Sequence, residues 1–119
     1  VGGTMAAQYT STHRESVDGL VIWASYPANS ADISNTNLPA ASIYGTLDPR
    51  ANPASVKERA DLLPPTTVYT AIEGGDHHQF GSYLIDPEED LAVISRADQQ
   101  DQIIQATLNL LEKVDQSAP

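Results

Sequence analysis

Apolar residues fall along this chain in short runs whose spacing changes from one element to the next. Residues 2–12 are rich in small side chains, with Met5, Ala6 and Tyr9 near helical spacing, which predicts a helix. Asp18-Gly19 marks a turn. Leu20-Val21-Ile22-Trp23-Ala24 is then apolar without alternation. That pattern suits a strand covered on both faces, with Trp23 in the core. Residues 26–39 are polar, rich in Asn and Ser, and read as loop. Residues 40–44 form a second strand that stops at Gly45.

The best-punctuated helix comes next. Asn52 is a suitable N-cap and Pro53 suits the first helical position. Val56, Ala60 and Leu63 recur at helical spacing, and Pro64-Pro65 ends the segment. Residues 66–73 are rich in β-branched residues and Tyr, predicting a third strand that ends at Gly74-Gly75. Residues 74–94 show no clear period, and a loop of that length in a compact domain usually carries function. A last helix is expected from Ser95, where Ser95 and Asp98 resemble a capping box. Its buried stripe is expected to be Ile104, Leu108 and Leu111, with Ile103 and Val114 beside it. Strands alternating with helices imply an α/β architecture built on a parallel sheet.

Charge narrows the partners. The 119 residues carry 6 Lys plus Arg against 16 Asp plus Glu, a formal net charge of −10. Nucleic acid binding needs a basic footprint, so that class is excluded, and an anionic membrane surface is disfavoured. No apolar run approaches the length of a membrane span. Cysteine is absent, which excludes disulfides and Cys-based zinc sites. The negative charge concentrates in residues 61–119 and is read as a solvated surface.

In parallel sheets, ligands bind beyond the carboxyl ends of the strands. Gly45-Thr46-Leu47-Asp48-Pro49 comes after the second strand, and Gly74-Gly75-Asp76-His77-His78-Gln79-Phe80-Gly81 after the third. A carboxylate and an imidazole therefore come to the same edge of the sheet. An Asp there can accept from His Nδ1–H and leave the other ring nitrogen free to take a proton from a nucleophile. Taken singly, Asp48 is an ordinary turn former before proline and His77 an ordinary loop histidine. As a pair in this order they point to catalysis.

The chain resembles the C-terminal half of an α/β-hydrolase. The segments YGTLDP (44–49) and EGGDHHQFG (73–81) look like the family's acid and histidine segments, and Val1-Gly2-Gly3 looks like the remainder of its G-x-S-x-G elbow. The resemblance implies that residues 1–119 are the C-terminal part of one domain, with the N-terminal half and the nucleophile outside this sequence. It assigns Asp48 as triad acid and His77 as triad base, with His78 the rival at the neighbouring position. Asp76 stands where the family often has Asn. Val1 would come directly after the nucleophile, Ser or Cys, and its backbone N–H would be one oxyanion-hole donor. His78, Phe80 and Tyr83 would border the substrate, although Phe80 and Tyr83 serve equally well as loop anchors. The short 26–39 segment leaves no room for a large lid, which resembles the open dienelactone hydrolase-like and esterase-like branch acting on small esters or acyl groups. No cofactor is implied. The chain alone is expected to be inactive, because no Ser in it lies at a Gly-flanked elbow.

Other classes fit less well. A metal site would have to draw on Asp76, His77, His78 and the acids Asp86, Glu88, Glu89 and Asp90. Their spacing matches no common ligand pattern, so no metal is expected. Neither a P-loop nor a G-x-G-x-x-G turn is present. A non-catalytic binding module that keeps the hydrolase fold without a nucleophile is the alternative, and the residue before Val1 separates the two.

Overall fold

The computed structural model describes residues 2–83 and 87–117. Three parallel strands, β1 (Leu20–Trp23), β2 (Ala40–Gly45) and β3 (Val68–Ile72), form one sheet in the order β1-β2-β3. Leu20 lies opposite Ala40 and Trp23 opposite Ile43, while Ala41 pairs with Val68 and Gly45 with Ile72. Helix α1 (Gly2–Thr12) precedes β1, the short α2 (Pro53–Glu58) links β2 to β3, and α3 (Arg96–Ser117) closes the chain. The expected α/β architecture is therefore present.

Strand alternation assigns the two faces. Leu20, Ile22 and Ala40 point to one side and pack with Ala7 of α1, Ile33, Leu38 and Leu63. Ile43 and Ile72 point to the other side and meet Ile103 of α3, with Val21, Phe80 and Ala106 around them. Each of the fully buried Ile side chains contributes about 1.5–3 kcal/mol through burial. The two clusters place one helical layer on each face of the sheet.

Several local expectations need correction. The α2 helix ends at Glu58, and a separate 3-10 turn, Ala60–Leu62, carries the chain to Leu63. Its cap is as expected: the Asn52 side chain accepts from the Ser55 N–H at 2.8 Å. β1 is not covered on both faces. Trp23 is 46% exposed, although its indole N–H donates to Thr107 Oγ1 at 3.1 Å. The third strand is shorter than 66–73 and mostly exposed on its outer positions.

The largest correction concerns α3. Its start is as expected, with Asp98 N–H donating to Ser95 Oγ at 3.0 Å. The stripe facing the sheet, however, is Gln99, Ile103 and Leu110. Ile104, Leu108 and Leu111 are 54%, 48% and 53% exposed. Two apolar stripes run side by side on this helix, and the three-stranded sheet covers only one.

Candidate active site

The loops after β2 and β3 are joined before any functional side chain enters. Thr46 N–H donates to Ile72 O at 3.1 Å and Leu47 N–H to Gly75 O at 2.9 Å. In return, Gly74 N–H donates to Thr46 Oγ1 at 2.8 Å. The backbones are so close that a Cβ on Gly45 would run into the Gly75 carbonyl. Glycine at 45 is thus a condition for the two loops to meet.

Asp48 stands in this junction with its side chain buried. Its Oδ1 accepts from the backbone N–H groups of Arg50, at 2.7 Å, and Ala51, at 3.0 Å. Oδ2 lies 2.8 Å from His77 Nδ1. An ionised carboxylate only accepts, so this geometry places the imidazole proton on Nδ1. The carboxylate is held by three donors, which offsets the cost of removing it from water. The His77 side chain is 27% exposed and reaches a cleft of about 480 Å³.

That cleft runs between the start of α1 and the end of β1. Gly2, Gly3, Trp23, Ala24, His77 and Phe80 are among its walls, and Tyr83 and Thr107 also border it. Ala24 adopts φ 50°, the one positive φ at a non-glycine position among the described residues. Thr4 fixes the neighbouring turn: its hydroxyl donates to Tyr26 O at 2.8 Å, which leaves Ser25 Oγ–H to donate to Thr4 Oγ1 at 3.0 Å.

The other residues singled out from the sequence divide among several roles. His78 does not approach Asp48; its Nε2 lies 3.8 Å from Glu89 Oε2. Phe80 both borders the cleft and packs against the α3-side core, 6.4 Å from the Trp23 ring. Tyr83 borders the cleft too, mostly exposed, with its ring 6.5 Å from that of His78. Val1, the expected oxyanion donor, lies outside the described residues, as does Asp86 of the acidic run. Glu88, Glu89 and Asp90 are exposed. Among the described residues no three His, Cys, Asp or Glu side chains come together to hold a metal ion.

Sequence reasoning passed over a buried polar cluster behind His77. Asp76, Gln79 and Gln99 are all buried. Gln99 Oε1 accepts from Asp76 N–H at 3.1 Å, and Gln99 Nε2 donates to Asp76 O at 2.8 Å. Gln79 Nε2 donates to Gln99 Oε1 at 2.8 Å and to Ile94 O at 3.1 Å. Asp76 Oδ1 accepts from Gln79 N–H at 3.0 Å. The signal was present in the sequence: Gln99 is a polar residue four positions before Ile103, on the same helical face.

A family model described as the alpha/beta hydrolase family matches residues 1–101. The chain belongs to the alpha/beta hydrolase family. No curated protein and no solved structure shows a significant match. For this alpha/beta hydrolase, the matched span contains α1, all three strands, Asp48, His77 and the opening turn of α3 with Gln99. Family membership supports a hydrolase fold.

Proposed function

We propose that this chain supplies the acid and base of a Ser-Asp-His hydrolase acting on small carboxylic esters or related acyl compounds. The observation that carries the reading is the His77–Asp48 hydrogen bond of 2.8 Å, placed where two parallel strands end beside an open cleft. The nucleophile, Ser by preference and Cys otherwise, precedes Val1 in a longer polypeptide whose N-terminal half completes the domain. Support for that partner comes from apolar surface left uncovered: Trp23 on edge strand β1 and the Ile104, Leu108 and Leu111 stripe of α3. The chain alone is inactive in this reading.

Asp48 holds His77 in the Nδ1–H tautomer, so Nε2 takes the proton from the nucleophile as its oxygen bonds to the acyl carbon. The resulting oxyanion is stabilised by the backbone N–H of Val1 and one amide from the N-terminal half. His77 then protonates the leaving alcohol as the C–O bond breaks. A water deprotonated by His77 attacks the acyl-enzyme, and the proton returns to the nucleophile as the acid leaves. The short 26–39 segment leaves the cleft without a large cover, which supports the dienelactone hydrolase-like and esterase-like branch.

The full-length protein should hydrolyse p-nitrophenyl acetate. His77→Ala should lower kcat by about 10³–10⁶-fold, whereas His78→Ala should cost less than about tenfold. A crippling His78→Ala beside a mild His77→Ala would reverse the assignment. An Ala or Gly before Val1 would replace the enzyme reading with a non-catalytic binding module.

A further inference from the structure

We propose that Gln99 is a positioning residue for His77, an inference that rests on the hydrolase reading above. A catalytic imidazole is aimed by the backbone that carries it as much as by its carboxylate partner. The Asp48 bond fixes only the ring's Nδ1 end. The Cα of His77 is fixed from behind, by the peptide it shares with Asp76.

Gln99 grips that peptide. Its carboxamide bonds both main-chain groups of Asp76, accepting from the N–H at 3.1 Å and donating to the C=O at 2.8 Å. The C=O belongs to the Asp76–His77 peptide plane itself. A side chain with one donor group and one acceptor, placed in this way, acts as a short piece of neighbouring strand. The grip is rigid because Gln99 is fully buried at 0% exposure and its Oε1 also accepts from Gln79 Nε2. It is close-fitting because a Cβ on Gly75 would come within 2.8 Å of Gln99 Oε1.

The cluster is complete. Among the described residues no buried side-chain nitrogen or oxygen lacks a partner. Gln100, the next residue on α3, donates to Gln79 O at 3.3 Å and Gly81 O at 3.2 Å. The first turns of α3 therefore hold the histidine loop at the main-chain carbonyls of Asp76, Gln79 and Gly81. Placing a polar Gln at the N-terminal end of the sheet-facing stripe gains nothing for helix–sheet packing, but it ties His77 to the core through α3.

Displacement of a reacting group by about 1 Å can cost on the order of 100-fold in rate. In the full-length protein, Gln99→Met keeps the length and volume of the side chain and removes both hydrogen bonds to Asp76 together with the one from Gln79. We expect kcat for p-nitrophenyl acetate to fall about 10–100-fold while KM stays within about threefold. The downfield NMR signal of His77 Nδ1–H should broaden or disappear. Gln99→Glu replaces that donor with a second acceptor facing the Asp76 carbonyl, so it should lower kcat at least as far as Gln99→Met. In the wild-type protein the Asp76 amide should exchange with solvent as slowly as the core of α3, a measurement independent of whether any variant folds. Fast exchange at Asp76 overturns the proposal, as does a folded Gln99 variant that only melts earlier with kcat and the His77 signal unchanged. Absence of ester hydrolysis by the wild-type protein would count against the hydrolase reading alone, because the NMR and exchange readouts test the positioning without turnover.

Discussion

Two regions of the chain meet their chemical needs in opposite ways. At the carboxyl edge of the sheet, Asp48 has three donors within reach, all from this chain, and the Asp76–Gln79–Gln99 cluster finds its partners within itself and in the nearby backbone. Along the edge of β1 and the outer stripe of α3, Trp23, Ile104, Leu108 and Leu111 stand about half exposed. Polar groups can be satisfied by a few nearby atoms in good geometry. Apolar side chains need bulk, supplied by a further layer. A stretch of 119 residues can thus satisfy a buried carboxylate–imidazole pair while leaving apolar side chains half exposed.

The contrast can be broken most forcefully at the finished end. In the full-length protein, Asp48→Asn should lower kcat by about 10⁴-fold, because an amide no longer enforces the Nδ1–H tautomer. Steady-state kinetics would detect it, and a loss below about tenfold would mean that Asp48 is only the turn former its neighbours Arg50 and Ala51 require.

Next in size is the unfinished end. Leu108→Ala should destabilise the full-length protein by about 2–5 kcal/mol, the range for a buried leucine. In the isolated chain the same change should stay within about 0.5 kcal/mol, as for an exposed position. Urea unfolding of both proteins measures the difference. The isolated chain should also bind a hydrophobic dye and self-associate. Equal, small effects in both proteins would show that nothing covers the stripe.

The smallest expected effect lies at the junction. Gly45→Ala drives a methyl group into the Gly75 carbonyl and should cost about 1–3 kcal/mol as overpacking. It should also separate the Asp48 and His77 loops, so thermal stability and kcat should fall together. A neutral Gly45→Ala would show that the junction tolerates more space than its hydrogen bonds indicate.

Much of this arrangement is legible in the sequence. Strand–glycine punctuation at Gly45 and Gly74-Gly75 is local, and a parallel sheet brings the loops after its strands to one edge. The approach of Asp48 to His77 therefore needed no knowledge of packing. The buried stripe of α3 was not legible, because Ile103 with Leu110 and Ile104 with Leu108 and Leu111 are adjacent sets of similar hydrophobicity. Which one turns inward depends on the sheet beside it. Trp23 was misplaced for a related reason: an unbroken apolar run signals burial on both faces only if both are covered. Gln99 escaped notice because hydrophobic periodicity discards polar residues, and a carboxamide with all its bonds made is as buried as an isoleucine.

Trp23 is the only tryptophan in the sequence, and it stands half exposed in the cleft that His77 reaches. Its fluorescence is therefore a built-in optical probe of that space. A molecule or a chain segment settling against the indole displaces water and moves the emission to shorter wavelength. The same ring reports release of Thr107 as the emission returns to that of free indole in water. Occupation of the cleft can thus be monitored in real time without attaching a label.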